Sequence, residues 1–299
     1  MTNSTKALHD DIIQIREEYI KNRYVFVSGK TMSGIIKNLG ASDYDIKNLK
    51  RVSENLAEDP TLPFRESRNG RFCYDFDRNE LLRLEYQPFV LSAEEDFVRH
   101  DSGQVRAFRG VEDELQLNTA FQALMFFKSY ILKGMDIKKR PGLDYSSNKW
   151  VSTVFNLRTI TTRDILGEPA LEGVHSDGVD HTMTTYLGSV NTTSDSAITY
   201  IHDMLEKNAI RFNETNPNLI RDSYQHTNFL DTVLIVDHEN KHSLSPVYAN
   251  DIRQRATRDM LIFFTRKPVL RDHKSFPYDS LSPHQEIPLE VKLPDQLCT

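Results

Sequence analysis

Apolar side chains recur at Leu8, Ile12, Ile13, Ile15, Tyr19 and Ile20. That spacing predicts an amphipathic helix over 6–23 with one face on a core. Tyr24 to Val27 reads as a short apolar strand, stopped at Ser28-Gly29. A second helix is predicted over 43–57. From Phe72 the pattern changes to short segments between turn residues. The run 115–133 is the best candidate for a central helix, ended by Gly134. Trp150 to Ile160 is rich in β-branched and aromatic residues and predicts a strand. Further strands are expected at 179–187, 196–201, 231–236, 242–247 and 259–265. Pro268, Pro277, Pro283, Pro288 and Pro294 make the C-terminal stretch an extended coat.

Helices thus come first and short strands follow. The order predicts a mainly β protein with flanking helices, built on an antiparallel sandwich or jelly roll rather than alternating βαβ units. The whole of 1–299 reads as one domain, with helical support over 6–60, a jelly-roll core over 72–266 and a tail over 267–299. No internal repeat is visible, and no GxGxxG, GxxxxGK[ST] or GxSxG motif occurs.

Composition narrows the chemistry. The 299 residues carry 37 basic and 43 acidic side chains, a formal charge of −6, which argues against a nucleic-acid binder. No apolar run is long enough to span a membrane, and the polar N-terminus has no signal-peptide core. Two cysteines, Cys73 and Cys298, are too few for a disulfide framework, so a reducing, cytoplasmic setting is expected. They also cannot build a cysteine-rich zinc or iron–sulfur site, which leaves His and carboxylate as metal ligands. Ten histidines are available.

The most informative run is PALEGVHSDGVD, residues 169–180. On an extended chain His175 and Asp177 project to the same face. Together they supply two-thirds of a 2-His-1-carboxylate triad, a set that leaves three positions on iron open. The run DTVLIVDHENKH, 231–242, is a strand and a polar turn ending at His242, a candidate third ligand. Arg258 stands before the apolar strand Met260–Phe264 and can clamp a carboxylate bidentately. Each piece alone is also compatible with a solvated polar turn; the ordered combination is much stronger.

EGVHSDGVDH resembles the EGxHxDGVDF signature of a family of iron(II)/2-oxoglutarate dioxygenases whose best-known members are bacterial L-isoleucine hydroxylases. DTVLIVDHENKHSLSPV is similar to that family's DTLLLxDxxxxHxVTPI segment, TRDMLIFF to YRDxLxxTF, and Gly103 to Phe108 to GGxVRxF. The likeness runs over roughly residues 10–266. It implies a double-stranded β-helix (cupin-like jelly roll), Fe(II) on His175, Asp177 and His242, and 2-oxoglutarate paired with Arg258. Oxygen is the co-reactant. The chain departs from the pattern at His181 to Tyr186, which is far more polar than the family's apolar run, and at Asn191 to Ser196.

The expected activity is oxidation of an unactivated C–H bond in a free aliphatic L-amino acid. The outcome is hydroxylation, or an oxidative cyclisation such as aziridine formation from L-valine in fungal secondary metabolism. Strand parity places Met260, Ile262 and Phe264 on the side of Arg258, as a pocket wall or as plain core. The same count from Asp177 puts His181 in the pocket, against the alternative of a hydrogen-bonded core histidine. Arg106 and Arg158 are candidates for the substrate carboxylate, against the alternative of a structural Asp or Glu. A zinc hydrolase or a non-catalytic small-molecule barrel remains the competing reading, and neither needs a carboxylate clamp.

Overall fold

The computed structural model describes residues 3–90 and 102–294, with side chains from Asp10 onward. Cys298 and the last five residues fall outside the described residues. Helix α1 (Asn3–Asn22) leads into strand β1 (Tyr24–Val27). Two short helices, α2 (Gly29–Asn38) and α3 (Asp43–Leu49), follow, with Ser28 and Ser42 accepting from the backbone as N-caps. Next come β2 (Ala57–Glu58), β3 (Arg65–Asp75) and β4 (Glu80–Leu84). The expected helix over 115–133 is two helices, α4 (Asp113–Gln116) and α5 (Thr119–Leu132). Asn118 breaks it: its Oδ1 accepts from the amides of Ala120 and Phe121 and starts a new helix.

The remaining strands are β5 (Lys149–Thr161), β6 (His181–Val190), β7 (Thr199–His202), β8 (Ile220–Tyr224), β9 (Thr232–Val236), β10 (Lys241–Leu244), β11 (Ala256–Arg266) and β12 (Glu290–Lys292). They form a large antiparallel sheet in the order β1-β9-β6-β11-β5-β3-β4-β12, with β2 beside β3, and a small sheet β10-β7-β8. The architecture is the double-stranded β-helix expected from the sequence.

Alternation along the strands sorts the side chains. On β11, Leu261 and Phe263 join β6 Met183, β9 Leu234 and β5 Val154 in a core shared with α1, α2 and α5. Their neighbours Met260, Ile262 and Phe264 face the opposite way, into a cavity reached by both sheets. The helices therefore brace the back of the large sheet and leave its front for chemistry. Trp150 packs in the helix-side core as expected.

The second predicted helix stops at Leu49, not 57. Beyond it the chain turns to dock on β5, where Asn156 binds the Val52 carbonyl and the Ser53 hydroxyl. The strand-bearing region is also wider than 72–266, since β1 and β12 occupy the two edges of the large sheet. The proline-containing tail is pinned rather than loose: β12 pairs with β4, and buried Asp279 holds Arg71 at 2.6 Å.

Candidate active site

Three donor side chains converge where β10 meets the turn before β6. Gly173 has φ +77°, and a Cβ there would meet the Ile210 carbonyl oxygen at 2.3 Å. Only glycine fits, and the turn it permits aims His175 inward. His175 and His242 exchange both backbone hydrogen bonds, at 3.0 and 2.9 Å, which closes the long sequence gap between them. Their rings lie 4.4 Å apart. Asp177 sits between them, with Oδ1 3.2 Å from His175 Nε2 and Oδ2 3.5 Å from His242 Nε2. The three ligand atoms all lie within 4.8 Å of one another, and all three residues are buried.

Hydrogen bonds fix the direction of His175 and Asp177. The Gly173 carbonyl lies 2.8 Å from His175 Nδ1, so that nitrogen keeps a proton and Nε2 turns to the centre. Asp237, just after β9, lies on the other side of His242 with its Oδ1 3.6 Å from Nδ1, beyond hydrogen-bond reach. Asp237 also accepts from the Asp177 amide, and the Thr182 hydroxyl bonds both carboxylates. Burial opposes charge on His175, but Glu172 and Asp177 outweigh it and push the imidazole up to about 10. Burial likewise opposes charge on Asp177, yet His242 and His175 hold it down at about 2. Burial lowers His242 to about 4. A cation in place of the His175 proton satisfies the same carboxylates, so the nitrogen and oxygen donors fit a divalent metal.

Arg258 opens onto the same cavity. It is buried and lowered to about 10 by that burial, so it stays a cation at neutral pH. It forms no ion pair with a carboxylate among the described residues; its Nη2 lies 3.4 Å from His226 Nδ1. Burial, reinforced by Arg258, lowers His226 to about 3. Neutral His226, accepting at Nδ1, carries its proton on Nε2 and donates it to Thr184 Oγ1 at 3.2 Å.

Of the residues expected around the substrate, Arg106, Ile262 and Phe264 line this cavity. Arg106 is buried, with its guanidinium 5.1 Å from the Phe89 ring centroid. Phe89, Phe108, Phe155 and Phe264 form an aromatic cluster beside it.

His181 and Arg158 do not reach the cavity. Gly178, at φ +71°, and the turn after it shift the strand phase by one residue. Thr182 and Thr184 therefore face the cavity, and His181 faces the helices. There it hydrogen-bonds Tyr19 at 2.9 Å and packs 5.2 Å from Trp150, and burial drops its pKa well below the usual value. Arg158 is out of phase with its pocket-facing neighbours Leu157 and Thr159. It makes a bidentate pair with Asp259, both contacts at 2.7 Å, directly across β11.

The sequence reading also missed residues. Glu172 and Asp237 stood inside the quoted motifs without an assigned role. His226 lay outside every motif, and its position on the cavity wall leaves no local sequence signal. The polar run His181 to Tyr186 carried the signal for Thr182 and Thr184, since polar residues alternate onto the cavity face.

Residues 50–264 match the model of a family described as 2OG-Fe dioxygenase. The chain is 47% identical over 282 residues to the bifunctional enzyme flvA of Aspergillus flavus, covering 94% of this chain. It spans about a third (34%) of that curated relative's length. Among solved structures it is similar to the Fe(II)/α-ketoglutarate-dependent dioxygenase TqaL, with 50% identity, 98% of each chain covered and a TM-score of 0.85. IDO from Bacillus thuringiensis shares the fold, at 13% identity over 86% of this chain and 98% of that one, with a TM-score of 0.62.

Proposed function

Since the chain belongs to the 2OG-Fe dioxygenase family and is an oxygenase that uses Fe(II), 2-oxoglutarate and O2, we propose that it oxidises an unactivated C–H bond of a free aliphatic L-amino acid. The zinc-hydrolase and ligand-binding readings fall away with that membership. The observation that carries the proposal is one cavity shared by the His175, Asp177 and His242 donors, cationic Arg258 and an apolar aromatic wall. His175, Asp177 and His242 would hold the iron. When bound, it couples oxidative decarboxylation of 2-oxoglutarate to removal of hydrogen from carbon.

The protein's part is positioning and exclusion of water. Arg258 would bind the distal carboxylate of 2-oxoglutarate, a group it can hold with parallel N–H donors. Arg106 would meet the substrate carboxylate. Ile262, Phe264 and the neighbouring phenylalanines would hold the alkyl chain. The small apolar space suits an aliphatic side chain better than a polymer or a sugar. The two cysteines and the charge pattern are in keeping with a cytoplasmic enzyme acting on small molecules.

The test is a panel of the twenty common amino acids with Fe(II), 2-oxoglutarate and oxygen, reading succinate and product mass. Gain of an oxygen marks hydroxylation; loss of two hydrogens marks cyclisation or desaturation, including an aziridine from valine. If no amino acid stimulates succinate release, the substrate assignment fails. Phe264→Ala should change the product ratio, and an unchanged profile would remove Phe264 from the wall that aims the substrate.

A further inference from the structure

Glu172 is an acid on the cavity wall, and the proposed metal chemistry does not use it. Its side chain is 8% exposed, and Oε1 lies 3.4 Å from His175 Nε2. No other hydrogen bond or ion pair reaches its carboxylate among the described residues. Arg65, which shares the cavity, is held by Asp59 at 2.6 Å, and Arg258 lies against His226.

The contact with His175 cannot persist once a metal is bound. His175 Nδ1 gives its proton to the Gly173 carbonyl. Nε2 must then present a lone pair to the metal. A lone pair and a carboxylate are both acceptors, so His175 Nε2 offers Glu172 no donor when it ligates a metal. A buried carboxylate left in that state is costly unless a cation or a strong donor arrives. Asp177 is the other acid lining the cavity, and it is a proposed metal ligand. Glu172 is therefore the place where a positively charged part of a ligand is stabilised best.

We propose that Glu172 is an ammonium site: it binds the protonated amine of the substrate beside the metal centre, while the alkyl chain lies against Phe155, Ile262 and Phe264. This rests on the amino-acid reading above and sharpens it. The amine becomes a recognised group, and a carboxylic acid of the same skeleton without one becomes a poor ligand. Carboxylate and ammonium would then be held at separate points, Arg106 and Glu172, which fixes the orientation of the α-carbon.

The test uses the full chain loaded with Mn(II) and 2-oxoglutarate under nitrogen, titrated calorimetrically. The ligands are the amino acid preferred in the panel and its 2-hydroxy acid, which replaces the ammonium by a hydroxyl. Wild type should prefer the amino acid by roughly tenfold or more, the worth of a charge-assisted hydrogen bond. In Glu172→Gln that preference should vanish, through weaker amino-acid binding with the hydroxy acid unchanged. Glu172→Asp, which keeps the charge, should restore part of it, and both variants should bind Mn(II) as wild type does. A preference that survives in Glu172→Gln overturns the proposal. So does a tenfold loss of Mn(II) affinity with amino-acid binding intact, which would make Glu172 a metal ligand. Failure of every amino acid to bind wild type would instead sink the substrate reading on which the site rests.

Discussion

Arg258 is a buried cation facing a cavity, and the side chain its guanidinium contacts at 3.4 Å is a neutral imidazole. A charge in that position is tolerable when a ligand anion completes it. Arg258→Gln should weaken 2-oxoglutarate binding by about 2–5 kcal/mol, roughly thirtyfold or more. Mn(II) affinity should stay unchanged, because no ligand contacts the guanidinium. Calorimetry of each ligand in turn separates the two. The residues that the fold brings together around the cavity were also the most legible. His175, Asp177, His242 and Arg258 stand in runs whose polar members interrupt apolar strands, so they show in the pattern. His181 misled because parity counting assumes an unbroken strand, and Arg158 because apolar neighbours hide a partner on the adjacent strand. Gly178 breaks the phase for His181, and a cross-strand acid satisfies Arg158.

At the scale of elements, the strands carrying the site were readable, because alternation and β-branched residues speak for themselves in β5, β6, β9 and β11. α2, β3 and β8 were not. α2 contains two glycines and relies on its Ser28 cap and on Met32, Ile35 and Ile36 meeting the core. β3 buries Arg71 against Asp279, a partner some two hundred residues away that no local window can see. α5 carries another buried charge, Lys128, whose Nζ donates to the Phe263 carbonyl at 2.7 Å. Burial lowers its pKa well below the usual lysine value, although Asp237 works against that shift. The folded chain therefore holds this proton less tightly than the unfolded chain does, and folding is penalised below pH ~10.4. Lys128→Met removes the penalty. Its stability relative to wild type should fall as pH rises towards ~10, by up to about 1.4 kcal/mol per pH unit, in urea melts.

For the molecule as a whole, the net charge of −6 describes the surface and not the cavity, which holds Arg65, Arg106 and Arg258. Acid should be the weak side of its stability. Burial lowers His181 well below its usual range, His202 to about 4 and His226 to about 3. Each takes up a proton near pH 6.5 only when the chain unfolds. Their contribution is complete above that pH and is lost as pH falls towards the folded values. Each costs up to about 1.4 kcal/mol per pH unit over that window. The melting temperature should therefore drop between pH 6.5 and 4, and His226→Asn should make that decline shallower. A decline as steep in the variant would assign the acid sensitivity elsewhere.

The backbone pairing of His175 with His242 sets the donors at a seam, because His242 belongs to the small sheet while Asp177 hangs beside β6 of the large one. An ion gripped by both would act as a rivet between two leaves of the barrel. Removing it with a chelator should leave the helix-backed sheet closed and let the small leaf breathe. Amide hydrogen exchange should then quicken in 199–202, 220–224 and 241–244 before it does in 256–266, and adding Mn(II) should reverse it. Uniform acceleration through both leaves would mean that the ion stabilises the fold as one body, with no seam to hold.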